Sequence, residues 1–275
     1  MKNKAQRLMT ALIDGDIFIY QAAAASERPI QWDEDLWTLH SSLSEAVSIF
    51  EDKLARAITG LAEHSHMTRE VKTLIALSDP EGGNFRKDVW PEYKANRKTK
   101  RSPLVRRALY NYVVANYETY SKPFLEADDV LGILQTSPYI VKGSKVIVSS
   151  DKDFMTIPGQ HYNPDKQDFF IVDEDNSAYW HMLQALTGDS ADGYPGCPGI
   201  GPKKAEAILD VVERQGSSEA FYEQAWPLVL AAYDKAGFGP DYALTMARLA
   251  RICQRDDYNF KKKEVILWNP PPTRK

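Results

Sequence analysis

Cysteine is scarce: the 275 residues contain two, Cys197 and Cys253. Two isolated thiols make neither a disulfide framework nor a zinc site, whose ligands come as closely spaced pairs. Long apolar runs are absent too, since no stretch approaches the ~20 residues of a membrane span. The opening MKNKAQRLMTALIDGD turns acidic after a short apolar stretch and has no small-residue cleavage site, so no signal peptide is expected. A soluble protein of the cytoplasm with no membrane partner is the expectation. Positive charge is also short. The formal charge is −4, which argues against a polyanionic partner when the chain is taken as a whole.

The distribution of charge reverses that argument. The tract FRKDVWPEYKANRKTKRSPLVRR, residues 85–107, concentrates Arg86, Lys87, Lys94, Arg97, Lys98, Lys100, Arg101, Arg106 and Arg107 against only Asp88 and Glu92. A segment this basic inside an acidic chain is a candidate phosphate-tracking surface.

Three apolar runs read as buried parallel strands: LMTALI, VKTLIAL and KVIVSS. Each runs into a carboxylate: Asp14 (with Asp16), Asp79, and the pair Asp151 and Asp153. In open α/β sheets ligands bind beyond the carboxyl ends of the strands, so these acids predict a site at one sheet edge. Helices are expected from about Asp33 to Glu63, from Arg101 to Tyr120, and from near Glu126, where Val130, Leu131 and Leu134 share a face. A strand is expected over 168–172, then helices and glycine-rich turns until EVILW, and NPPPTRK reads as a disordered tail. No repeat or low-complexity tract is present. One α/β core over residues 1–175 and a helical region over 176–275 packed on it is the expected division.

Glu126, Asp128 and Asp129 fall within four residues at a helix start. The dipole favours acids there by ~0.3–1 kcal/mol each, which accounts for one or two. Like charges ~4 Å apart repel by roughly 4 kcal/mol at an effective dielectric near 20, so gathering these with the strand-end aspartates calls for a cation. Carboxylates without histidine suit Mg²⁺ or Mn²⁺. Asp189 and Asp192 of GDSADG serve as turn caps or join that set. The segment that follows, Gly199-Ile200-Gly201-Pro202-Lys203-Lys204, has the form of a helix-hairpin-helix. There a glycine turn admits a phosphate to amides at a helix start.

Taken in order, Asp14, Asp79, PEYKANRK, EADD, SSDKD and GDSADG with the glycine hairpin resemble the 5′-nuclease superfamily of flap endonucleases and polymerase-associated 5′-to-3′ exonucleases. IDGDIFIYQAAAASE, YWHMLQALTGD and MARLARICQRDDYNFKKKEVILW look nearest to the exonucleases of short-tailed, T-seven-like phages. The resemblance implies a mostly parallel sheet flanked by helices, a basic helical arch over about 85–120, and a C-terminal helix-hairpin-helix region. It implies two Mg²⁺, replaceable by Mn²⁺, with Asp14, Asp79, Glu126 and Asp128 resembling first-site ligands. Asp151, Asp153 and Asp189 resemble second-site ligands, and Asp129 and Asp192 match carboxylates acting through water. A monovalent cation such as K⁺ would sit on backbone carbonyls near Gly199 and Gly201.

By the same match Lys94 and Arg97 act on the reacting phosphate, although both also read as ordinary backbone contacts. Tyr93 stacks on a terminal base or packs as a plain aromatic. Arg86, Lys98, Lys100, Arg101, Gly199, Gly201, Lys203 and Lys204 complete the implied DNA-binding set. The implied substrate is duplex DNA with a 5′ end, gap or flap, with RNA–DNA hybrid also in range, and the source is a phage acting in a bacterial cytoplasm. Two rivals stand beside this reading. One is a small-molecule phosphatase using Asp14-Gly-Asp16 as a DxD motif; the other is a structure-specific DNA-binding protein without catalysis.

Overall fold

The structure, a computed structural model, describes residues 9–64 and 71–272, with the backbone alone at Lys98. Leu8 of the first expected strand and Thr273–Lys275 of the expected tail lie outside the described residues. A six-stranded sheet forms the centre, in the order β5-β4-β1-β6-β7-β8. Its members are β1 (Met9–Asp14), β4 (Val71–Ala76), β5 (Thr119–Tyr120), β6 (Ser144–Val148), β7 (Gly159–Asn163) and β8 (Asp168–Val172). All neighbours pair in parallel except β7 with β8.

Every residue of β1 is buried because both sheet faces are covered, the arrangement an unbroken apolar run demands. Met9, Ala11 and Ile13 face one side with Ile75, Val146 and Val148. There they meet α1 (Gly15–Ala25), α2 (Leu43–His64) and α4 (Arg106–Asn116). Leu12, Leu74, Ala76 and Ile147 face the other side against α5 (Ala127–Thr136). In α2 the buried Ala46, Phe50, Leu54, Ala57 and Leu61 recur at helical spacing, which makes the stripe that holds it to the sheet.

The chain moves from β1 outward to β4 and β5, then crosses to β6 on the other side of β1. That reversal makes the carboxyl ends of β1 and β6 a topological switch point.

The C-terminal part has a separate core. It packs α6 (Glu174–Thr187), α7 (Pro202–Leu209), α8 (Ser218–Lys235) and α9 (Pro240–Ala250) around Met182, Leu186, Phe221, Tyr233 and Met246. Between α6 and α7 the chain turns back on itself. Gly188 and Gly196 there have φ of +66° and +67°, and a Cβ on Gly196 would lie 2.3 Å from Gly188 N. Only glycine satisfies both the left-handed backbone and the closeness. Among the described residues no helix is long and apolar enough to cross a membrane.

Three boundaries differ from the sequence expectation. The expected helix from Asp33 begins only at Leu43. Before it a hairpin of β2 (Glu27–Asp33) and β3 (Leu36–Ser41) projects with Trp32 65% and Trp37 56% exposed. The expected helix over 101–120 is the shorter α4, because Pro103 and the bends around it precede the helix start and β5 follows its end. EVILW contributes only β10 (Glu264–Val265), paired with β9 (Tyr258–Asn259). The basic tract is not one helix either: α3 (Phe85–Val89), a 3-10 turn at Ala95–Thr99 and then α4.

Candidate active site

Asp14 ends β1 and caps α1, with one carboxylate oxygen accepting from the Ile17 amide at 3.2 Å and the other from Ser149 Oγ at 2.8 Å. Burial, with Asp16 and Asp151 adding repulsion, pushes its pKa up to about 7 against the pull of the Ser149 bond. Asp16 accepts from Ser78 Oγ at 2.5 Å, and that hydroxyl in turn accepts from the Ala127 amide at 3.1 Å. Asp16 thus ties α1, the loop after β4 and the start of α5 together. Asp79 spends its oxygens on the amides of Glu81 (3.0 Å) and Phe124 (2.9 Å), and it shapes the loop beside the carboxylates that converge.

Those carboxylates are Glu126, Asp128 and Asp129, which present oxygens all within 4.8 Å of one another. Glu126 and Asp129 form a capping box at the start of α5. Burial raises the pKa of Glu126, but Lys94 and Arg86 together outweigh it and bring the value down to about 2. Burial, then the negative charges of Asp129 and Glu126, holds Asp128 well above the ordinary carboxylate range. One cluster therefore contains an ionised acid and a reluctant one, the pattern that a cation would even out.

Asp129 is completely buried and accepts four bonds: from Arg86 Nη1 and Nη2 at 2.7 and 2.8 Å, and from the amides of Glu126 (3.1 Å) and Cys253 (3.0 Å). With its oxygens so occupied it positions Glu126 and Asp128. Arg86 departs from the DNA-binding role expected of it. It is 2% exposed, and its five N–H bonds go to Asp129 twice, to Glu126 (3.3 Å), and to the carbonyls of Leu249 (3.0 Å) and Arg251 (2.6 Å). No donor remains for DNA.

On the far side of β1, Asp151 accepts from the Asp153 amide at 2.9 Å, and Asp153 accepts from Gln184 Nε2 of α6 at 2.6 Å. Burial, then the charges of Asp151 and Asp189, raises Asp153 to about 7. Asp189 accepts from the amides of Ala191 (2.6 Å) and Asp192 (3.2 Å), and its main chain bridges Tyr194. Asp192 then points at the basic tract. Its Oδ1 is 2.6 Å from Arg97 Nη2, and its Oδ2 is 2.8 Å from Tyr93 Oη and 3.5 Å from Lys94 Nζ.

Lys94 stands between two carboxylates, hydrogen-bonded to Glu126 and within 3.5 Å of Asp192. Burial disfavours its charge, but Glu126, Asp128 and Asp192 prevail and raise its pKa. Its backbone is left-handed, with φ of 55°, and its amide donates to Asp192 O at 2.7 Å. Tyr93 is 3% exposed, with its hydroxyl 2.9 Å from Glu126. It is a packed aromatic that organises carboxylates, and the stacking alternative falls away because no ring face is open. Arg97 and Lys100 are exposed. Arg101 forks onto Glu27 at 2.7 and 2.6 Å, bracing the tract against the β2–β3 hairpin.

Gly201 caps α7, with Pro202 next. Gly199 has φ of +77°, and nothing lies within 4 Å of where a Cβ would stand on either glycine. Lys203 and Lys204 are exposed. The carbonyls in this turn accept from Lys204 Nζ, on Gly199 O at 2.8 Å, and from the amides of Lys204 and Ala205, on Gly201 O at 3.0 Å. Sequence reasoning misses Ser78, Ser149 and Gln184. Of these Ser78 and Ser149 carry a signal, as each lies between a strand end and its aspartate.

Residues 9–176 match the family described as 5′-3′ exonuclease, N-terminal resolvase-like domain. The exonuclease of Escherichia phage T7 is 30% identical over 290 residues, covering 94% of this chain and 93% of that one. The exodeoxyribonuclease of Enterobacteria phage T3 is 29% identical over 287 residues, covering 94% and 92%. Among solved structures, a bacteriophage T5 flap endonuclease in complex with DNA and metal ions shares the fold, with a TM-score of 0.53 at 16% identity over 88% of each chain. A match spanning the whole carboxylate-bearing sheet, together with phage relatives aligned almost end to end, makes this chain a nuclease of the 5′-3′ exonuclease family.

Proposed function

We propose that this enzyme is a Mg²⁺-dependent 5′-to-3′ exodeoxyribonuclease that also cuts 5′ flaps and accepts RNA–DNA hybrid, serving a phage in replication, recombination or host-DNA breakdown. The observation that carries the reading is the convergence of carboxylates beyond β1, β6 and the start of α5. The oxygen-only cluster of Glu126 and Asp128, backed by Asp129 with all three within 4.8 Å, fits hard divalent ions, Mn²⁺ included. Asp14 and Asp79 supply further oxygens toward this first ion, and Asp151, Asp153 and Asp189 supply oxygens toward a second. When bound, the two ions lower the pKa of a water and neutralise the charge on the scissile phosphate.

The chain's own part is orientation and charge. Asp129 and Arg86 hold Glu126 in place from behind. Ser149 holds Asp14, and Gln184 holds Asp153. Lys94, kept cationic by its acidic neighbours, can shift its ammonium from Glu126 to phosphate oxygens as negative charge grows there. Arg97, on the solvent side of Asp192, offers a second donor. Gly199 and Gly201 leave the start of α7 clear for a phosphate of the duplex, with Lys203 and Lys204 beside it.

One duplex labelled separately at each terminus tests this, with Mg²⁺ and with chelator. Mg²⁺-dependent release of short products from the 5′ label, with closed circular duplex left intact, is the expected result. Early release of the 3′ label overturns the polarity, and turnover of a chromogenic phosphate monoester with no DNA cleavage overturns the nuclease chemistry.

A further inference from the structure

Away from the carboxylates, the second half of α1, the middle of α2 and the β7–β8 turn enclose a cavity of about 410 Å³. Small side chains make the gap: Ala22 and Ala25 line it from α1, and Ala57 lines it from α2 beside Ile49. Gln21, also in its wall, lies about 10 Å along the axis of α1 from Asp14, at about 1.5 Å per residue. The cavity is therefore separate from the carboxylate edge.

Its rim is polar and fixed. Lys53 lies over the Phe18 ring, 5.0 Å from the centroid, and its ammonium stands 3.5 Å from Asp165 Oδ1. The turn that carries Asp165 is pinned, since Asn163 Oδ1 accepts from the amides of Asp165 and Lys166 at 3.0 Å each, and Gln167 is left-handed at φ of 52°. Arg56 is exposed at the rim, with neither an ion pair nor a hydrogen bond among the described residues. Gln21 Oε1 is buried without a hydrogen-bond partner. An unpaired buried amide oxygen is costly, and a small turn of this side chain would bring it to a donor held in the cavity.

Each of these features answers one part of a nucleotide. Two cations against one carboxylate favour an anion, and an unpaired guanidinium suits a phosphate. The amides of Gln21 and Gln167 each carry donors and an acceptor, as the edge of a base requires, and the alanine walls leave room for a flat ring. Asp165 can accept from a sugar hydroxyl. An inorganic anion would fill only a fraction of the space, whereas cavities of about 300–1,000 Å³ with apolar walls and a few polar groups hold small organic ligands. We propose that this cavity binds a nucleoside 5′-monophosphate, with its phosphate on Arg56 and Lys53 and its base against α1 between Gln21 and Gln167. The site goes beyond the nuclease reading and does not depend on it.

Calorimetric titration of the full chain tests this, with deoxyadenosine 5′-monophosphate as the probe and EDTA present to keep metal from the carboxylates. One-to-one binding is expected, and inorganic phosphate and deoxyadenosine should each bind about tenfold or more weakly. Arg56→Ala should weaken nucleotide binding about tenfold or more, because charge-assisted bonds to the phosphate are lost. Ala25→Leu keeps every charge but fills the cavity, and should weaken binding comparably. Both changes keep good helix formers, so an unchanged Tm verifies folding. No binding in EDTA, either fragment binding as tightly as the whole nucleotide, or an affinity that either variant leaves unchanged overturns the proposal while the nuclease reading stands. Binding seen only with Mg²⁺ places the nucleotide at the carboxylates and overturns it likewise.

Discussion

Arg86 and Asp129 meet as a parallel fork, 2.7 and 2.8 Å across, with 2% and 0% of their surfaces exposed. The pair joins three parts of the chain, because Arg86 belongs to α3, Asp129 to α5, and the remaining guanidinium donors reach the carbonyls of Leu249 and Arg251 at the end of α9. Breaking a buried pair strands a charge at a cost of about 3–5 kcal/mol. Arg86→Met should therefore lower unfolding free energy by about that much in urea denaturation. A loss under about 1 kcal/mol would show that the packing around Asp129 tolerates the lone carboxylate.

Asp153→Asn and Asp189→Asn keep the acceptor oxygens that Gln184 and the Ala191 amide use, but remove one negative charge each. Both variants should fold and bind DNA within a few fold of wild type while hydrolysis becomes undetectable. Folding that fails in parallel with activity would make these aspartates structural.

Lys94→Ala should slow single-turnover cleavage by two or more orders of magnitude, since a preorganised charge at a transition state contributes a few kcal/mol. Affinity should fall far less. The left-handed backbone at Lys94 costs alanine about what it costs lysine, whereas Lys94→Gly relieves it. The two variants should be equally slow, and a fast glycine variant would move the effect from the ammonium to the main chain.

Gly201→Val tests the hairpin cleanly, because φ is −94° and a Cβ there meets nothing within 4 Å. Thermal stability should stay within about 1 °C of wild type, since surface changes free of clashes are usually within about ±0.5 kcal/mol. Duplex affinity should drop, and its salt dependence should flatten as phosphate contacts vanish. An unchanged slope on duplex makes the segment purely structural.

Asp14 and Asp153 are both raised to about 7, so from about pH 4 to pH 7 the metal-free folded state holds protons that the unfolded chain has released. Stability contributed by these groups therefore falls as pH rises through that window. Mg²⁺ binds the ionised forms and reverses the loss. The rise in Tm on adding Mg²⁺ should be small near about pH 5.5 and larger near about pH 8, read by differential scanning fluorimetry. A shift of the same size at both pH values would separate metal binding from these two acids.

Much of the site is legible in the sequence because its acids sit where strands stop. Asp14, Asp79 and Asp151 follow runs of apolar residues whose parallel pairing brings their ends to one edge. Burial within the basic tract is not legible in the same way. Arg86 and Arg97 look alike in sequence, yet one is enclosed by Asp129 and the α9 carbonyls while the other faces solvent. That enclosure is completed by Leu249 and Arg251, which stand 163 and 165 positions away from Arg86. The β2–β3 hairpin resembles the start of a helix because Ile30, Trp32, Leu36, Trp37 and Leu39 fit either period once spacing alone is judged. Its turn lacks the Asn-Gly type of signal that separates the two.

The contact between Gly188 and Gly196 fixes the main chain from which Asp189 and Asp192 extend their carboxylates. A methyl group at either glycine has no clearance and would prise the loop off the end of α6, carrying both acids with it, and with them the hold of Asp192 on Tyr93, Lys94 and Arg97. Tolerance to change should therefore be lowest, along this stretch, at the two residues that have no side chain and cannot gain one.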